Sequence, residues 1–169
     1  MQEFQISKNN KDHWPNGWRE GPKIMGVINI TPDSFSDGGL YINPLKALDR
    51  AFKCLEEGAD VLDIGGQSTR PGAEVISYEE ELLRVVPVLK LLRKELPNTL
   101  LSIDTFYSKV AQKALDLGVN WVNDISGGRQ DAEILKVVAD SESPFVITCL
   151  LYTSPSPRDV EESRMPSSA

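Results

Sequence analysis

The sequence predicts an α/β fold built on a parallel sheet closed into a TIM-type barrel. Three observations predict it: five short β-branched runs, a helical segment between successive runs, and polar, glycine-rich residues at the C-terminal ends of at least four runs. The runs are Lys23 to Thr31, Ala59 to Gly65, Leu100 to Thr105, Trp121 to Ser126 and Pro144 to Leu150. Their interiors are continuously apolar, as in Ile24-Met25-Gly26-Val27-Ile28, the pattern of parallel strands covered on both faces. Strict β-then-α alternation with right-handed crossovers leaves a barrel and a doubly wound open sheet as candidates. A doubly wound sheet gathers its polar residues at one switch point, whereas a barrel mouth collects them from every strand, so the spread over four tips favours the barrel.

The first helix is expected to open with Asn43 as cap and Pro44 in its first turn. It should carry Leu45, Leu48, Phe52 and Leu55 on an inward stripe and stop at Gly58. The second starts at Ser77 with Glu80 three residues on, a capping-box spacing. Its expected stripe is Leu82, Val86, Leu89 and Leu92, with a bend at Pro87. The third spans about 108–117 and ends at Gly118, with Val110, Ala111, Ala114 and Leu115 inward; the fourth spans about 131–139 around Ile134, Leu135 and Val138.

Composition narrows the function classes. A chain of 169 residues with 40% apolar and 25% charged residues suits one soluble globular unit. A formal net charge of -7 leaves no excess of Lys and Arg to displace counterions, so no nucleic-acid partner is expected. No apolar run reaches a membrane span and the polar leader 1–22 has no signal-peptide core, so a cytoplasmic protein with no membrane partner is expected. Cys54 and Cys149 fit no redox or metal spacing and read as small apolar fillers. His13, the single histidine, lies in the leader, which makes a His-based triad or metal site hard to build.

The chemistry sits at the strand ends. Run one passes through Asn29 and Thr31 into a loop with Asp33, Ser34, Ser36, Asp37, Gly38 and Gly39, which on composition alone could be a turn-rich connector. Asn29 stands apart, because an amide inside an apolar strand needs a partner: either the barrel bonds it or its oxygen is offered to a ligand or hard cation. Run two delivers DIGGQSTRPGA, in which Gly-Gly brings the backbone close and Ser68, Thr69 and Arg70 supply hydroxyls and a guanidinium fork, a set suited to phosphate. The alternative is a turn with a solvated Arg. Asp63 reads as a buried acceptor for neighbouring backbone or for Arg70. Runs three and four end in SIDT and VNDISGG, bringing Asp104, Asn123 and Asp124 to the same opening. A carboxylate and an amide on one cavity suit a flat heterocycle with adjacent N–H donors, although Asp104 and Asp124 could each be a helix cap.

The segments MGVINITPDSFSDGG, DIGGQSTRPGA and SIDT, followed by VNDISGG, resemble the signature of the dihydropteroate synthases across residues 23 to about 149. The resemblance implies a (β/α)8 barrel, of which about five β/α units fall within 23–150. It also implies displacement of pyrophosphate from 6-hydroxymethyl-7,8-dihydropterin pyrophosphate by the amine of p-aminobenzoate. By the same resemblance Asn29 helps hold Mg2+ and pyrophosphate, Thr69 and Arg70 contact the pyrophosphate, and Asp104 and Asn123 bond the pterin. The loop around Asp33, Phe35 and Ser36 and the stretch from Ser68 to Pro71 would form the p-aminobenzoate pocket, which is also the sulfonamide site. The full-length form would be a homodimer.

Residues 151–169 are rich in Ser and Pro without apolar period and are expected to be disordered. CLLYTSPSPRD resembles translated sequencing-adaptor read-through. A chain lacking the family's later β/α units would expose strand edges and have little synthase activity. Two other readings remain: a corrinoid-linked methyltetrahydrofolate methyltransferase, which has no use for Thr69 and Arg70, and a non-catalytic pterin-binding remnant.

Overall fold

The structure is a computed structural model that describes residues 14, 20–31, 43–68 and 74–147. Five parallel strands lie in sequential order: β1 (Met25–Asn29), β2 (Val61–Gly65), β3 (Leu100–Asp104), β4 (Trp121–Asp124) and β5 (Phe145–Ile147). Four helices occupy the crossovers: α1 (Pro44–Glu56), α2 (Tyr78–Glu95), α3 (Ser108–Asp116) and α4 (Glu133–Ser141). A doubly wound sheet would place β1 inside and reverse direction there; among the described residues β1 is an edge and the order does not reverse. The sheet is therefore a run of consecutive units of the barrel type, as the polar strand ends suggested.

The helix starts obey the sequence signals. Asn43 Oδ1 accepts the Leu45 amide at 3.0 Å with Pro44 in the first turn, and Ser77 Oγ accepts the Glu80 amide at 3.3 Å. Glycines in the left-handed region follow α1 and α3, Gly58 at φ 101° and Gly118 at φ 86°, where a Cβ would be strained. Pro87 sits inside α2, which continues past it.

Two inward stripes differ from expectation. In α1 the fully buried residues are Ala47, Ala51 and Cys54; of the expected stripe Leu48 and Leu55 pack partly buried against the core, while Leu45 and Phe52 are 60% and 43% exposed. The reason is close approach: a Cβ on Gly26 of β1 would meet Cys54 Cβ at 3.0 Å, so only small side chains fit between this helix and the strand. In α2 the expected Leu89 and Leu92 are buried and Leu82 packs partly buried against the core, but Glu81, Val85 and Val88 carry the rest of the buried face in place of Val86. Leu135 of α4 is likewise exposed, with Ile134 and Val138 carrying the contact. Cys54 is buried and free, as a filler should be.

Alternation along the strands divides the core. Ile28, Leu62, Ile64, Leu101, Ile103 and Val122 face the helices in one large cluster. Val61, Leu100 and Trp121, with Met25 and Val146 against them, form a smaller cluster on the opposite, inner face. Trp14 packs against Trp121 of that inner cluster, with ring centroids 4.8 Å apart and planes tilted by 56°. The apolar residues of this face lie mainly toward the strand starts, and its polar residues begin halfway up.

Candidate active site

Register places the predicted residues in one row. Asn29 pairs with Gly65, Gly65 with Asp104, and Asp104 with Asn123, so the C-terminal ends of β1 to β4 present an amide, a gap, a carboxyl and a second amide side by side. Neighbouring strands are about 4.8 Å apart, so the row is about 15 Å long, enough for a bicyclic ring and a substituent laid across it. Asn29 Oδ1 is buried and has no hydrogen-bond partner among the described residues. An amide oxygen held dry and unbonded is costly unless something else takes it up.

Below the row, Asp63 is almost completely buried and accepts the Asn123 amide through Nδ2 to Oδ2 at 2.8 Å. This bond crosses β3 and fixes the Asn123 side chain. Burial pushes the Asp63 carboxyl up, while the Ser102 hydroxyl and the Asn123 amide draw it back. Asp63 is thus a buried acceptor as expected, with Asn123 as a donor; Arg70, the other donor expected, lies outside the described residues. Asp104 is pushed up to about 7, first by burial and then by the charges of Asp63 and Asp124. A carboxyl poised there can donate or accept a hydrogen bond near neutrality, which suits a heterocycle edge carrying both kinds of group.

Neither aspartate considered as a helix cap is one. Tyr107 occupies the N-cap of α3 without a side-chain bond, and Asp104 stays in the row. Asp124 instead closes the turn after β4, accepting the Ser126 and Gly128 amides at 2.7 Å each, with Gly127 and Gly128 at positive φ. Asp131 bridges two helices, accepting the Ser108 amide of α3 and the Glu133 amide of α4.

Two residues escaped the sequence reading. Glu81 of α2 is fully buried, and its Oε2 accepts the Thr105 hydroxyl at 3.1 Å beside the β3 tip. Burial raises its carboxyl to about 7, opposed by the Thr105 bond and reinforced by the Asp104 charge. Its spacing with Val85, Leu89 and Leu92 on one helical stripe was the available signal. Gln67 ties the base of the β2–α2 connection: Nε2 donates to the Ser68 and Glu74 carbonyls, and Oε1 accepts the Ile76 amide at 2.9 Å. The Tyr107 hydroxyl donates to the Ile76 carbonyl at 2.7 Å, and Arg84 donates to the Gly66 carbonyl at 2.9 Å. Phe35, Ser36, Thr69, Arg70, Pro71 and Asp33, all expected at the site, lie outside the described residues.

Sequential β/α units with a polar row at the strand ends define the class of the chain, parallel β/α units of the barrel type. The chain belongs to the pterin binding enzyme family, whose model matches residues 25–165. It is 46% identical over 130 residues to the dihydropteroate synthase of Synechocystis sp., covering 77% of this chain and 45% of that one. It is 47% identical over 131 residues to the mitochondrial folate synthesis bifunctional protein of Pisum sativum, covering 76% and 25%. A solved structure of Xanthomonas albilineans dihydropteroate synthase with 4-aminobenzoic acid superposes with a TM-score of 0.67 at 45% identity, covering 73% of this chain and 45% of that one. The chain thus spans less than half the length of these relatives.

Proposed function

We propose that this chain carries the pterin and diphosphate grip of a dihydropteroate synthase. The row Asn29, Gly65, Asp104 and Asn123 supports this reading more than any other single observation. Asp104 and Asn123 hold the pterin edge, with Asp63 orienting the Asn123 amide. Thr69 and Arg70 take the pyrophosphate oxygens, and Phe35, Ser36 and Pro71 border the p-aminobenzoate. The full-length form is read as a cytoplasmic homodimer. Among the described residues no helix is long and apolar enough to cross a membrane.

Mg2+ fits this donor set. Among the described residues no three His, Cys, Asp or Glu side chains gather as a cage, and Asn29 Oδ1 offers one dry, neutral, hard oxygen. Mg2+ takes few protein ligands and keeps several waters and substrate phosphates, so one protein oxygen beside a diphosphate can serve it. When bound, it would supply charge neutralisation at the diphosphate.

The reaction asks little covalent chemistry of the protein. The amine nitrogen of p-aminobenzoate attacks the methylene carbon of the pterin, the carbon–oxygen bond to pyrophosphate breaks, and the amine loses a proton. Arg70 takes up charge developing on the departing oxygen, and the pterin ring, held by Asp104 and Asn123, spreads positive charge at the methylene. Holding the two reactants in line supplies much of the remaining acceleration.

Isothermal titration of the chain with 6-hydroxymethyl-7,8-dihydropterin pyrophosphate, with and without Mg2+, tests the reading. Binding that requires Mg2+ is the expected result. Mg2+-independent binding of a methyl-folate would move the chain to the methyltransferases, and no binding at all would leave a non-catalytic remnant.

A further inference from the structure

Gly65 occupies the inner-face position between Asn29 and Asp104 in the row, the one place where a strand end contributes no side chain. A Cβ built there would lie 3.2 Å from Asn29 Oδ1, 3.4 Å from Asp104 Oδ2 and 3.5 Å from Asp104 Cβ. Both oxygens therefore converge on the same small gap. The backbone does not explain the glycine, because Gly65 is a regular strand residue outside the positive-φ set. The next residue makes a useful contrast: a Cβ on Gly66 would meet Glu81 Cγ at 2.7 Å and Val85 Cγ1 at 2.9 Å, so that glycine is required by the packing of α2. Gly66 makes room for the protein, whereas Gly65 leaves room in the mouth.

On the reading proposed above, the diphosphate end of the ligand lies at Asn29 and the ring at Asp104 and Asn123. The bond that joins them must cross the position between. We infer that Gly65 is a specificity-determining residue, its missing side chain forming the notch over which the linking methylene carbon, the carbon that reacts, is seated. A side chain there would fill the junction and press on Asn29 Oδ1, while the ring's grip at Asp104 and Asn123 stays within ordinary contact distance.

The Gly65→Ala variant separates these contributions, using three probes in titration: unsubstituted pterin, pyrophosphate with Mg2+, and the joined pterin pyrophosphate with Mg2+. The expected result is a loss of about tenfold or more in affinity for the joined ligand, with unsubstituted pterin bound as by the parent chain and pyrophosphate weakened by less than the joined ligand. Equal affinity of parent and variant for the joined ligand overturns the inference and leaves the functional reading standing. Failure of the parent chain to bind any probe overturns the functional reading itself, and the inference with it. A second measurement is independent of the variant's folding: in the parent complex, a nuclear Overhauser contact between the Gly65 α-protons and the ligand methylene is expected. Its absence from a saturated complex would overturn the assignment.

Discussion

On the helix side of the sheet, Ile28, Leu62, Ile64, Leu101, Ile103 and Val122 are buried in an unbroken apolar layer; on the other side the same strands bury Asp63, Ser102 and Asn123. The two sets alternate residue by residue, so neighbours in sequence do opposite work. The helix face is driven by removal of apolar surface from water and contains no ionisable group on the strands except Asp124, which is bonded into its own turn. The inner face holds carboxyls whose charged forms the site disfavours, and one amide oxygen without a partner among the described residues. On the function proposed above, stability and ligand chemistry fall on separate sides of one sheet, and each should be open to perturbation with limited effect on the other.

The largest expected effect is on the helix side. Leu101 is fully buried there, and Leu101→Ala should destabilise the chain by about 2–5 kcal/mol, the range for truncating a large core side chain. Urea denaturation measures it, and Mg2+-dependent ligand affinity per folded molecule should stay within about threefold of the parent, since no row residue is touched. If affinity fell with stability, the division between the faces would be wrong.

The inner face should respond to pH instead. A carboxyl whose folded pKa is raised is protonated more readily folded than unfolded. Its folded state is therefore favoured in acid and loses stability as pH rises from the ordinary carboxylate range, about 4, through the folded value. For Asp104 that window ends at about 7. Asp104→Asn should remove part of the fall in stability between pH about 4 and 7, leaving a remainder from Asp63, also raised, and from Glu81, raised to about 7. Urea midpoints for parent and variant across this range give the comparison. Parallel pH profiles would mean that Asp104 is solvated and the inner face less dry than its burial indicates.

The sequence disclosed these two sides unequally. Strand positions, helix caps at Asn43 and Ser77, and the four polar strand ends were legible, because caps, turns and β-branched runs are local signals. The shared row was legible only as a convergence of strand ends; the pairing of Asn29 with Gly65 and of Gly65 with Asp104 depends on register, which no single strand encodes. The Asp63 to Asn123 bond spans 60 positions and was invisible for the same reason. Glu81 was overlooked because an acidic residue in a first helical turn also reads as a favourable dipole contact, a reading that masked its place on the buried stripe. The gap at Gly65 was hidden by its neighbour, since a Gly-Gly pair suggests one backbone reason when the two glycines have different ones.

The smallest expected effect concerns α1, where hydrophobicity misled about direction. Phe52 is the largest apolar residue of that helix and yet is 43% exposed, whereas the adjacent Ala51 is completely buried. What selects the inward stripe is the distance permitted by Gly26, whose absent side chain lets Cys54 approach β1; bulk is excluded there regardless of its polarity. Phe52→Ser should therefore change stability by about 0.5 kcal/mol or less, while Ala51→Leu, which adds volume where there is none, should cost about 1–3 kcal/mol. Thermal midpoints of the two variants order them. If Phe52→Ser proved the more damaging, α1 would lie rotated toward the leucine and phenylalanine stripe, and the close contact at Gly26 would have to open to accommodate it.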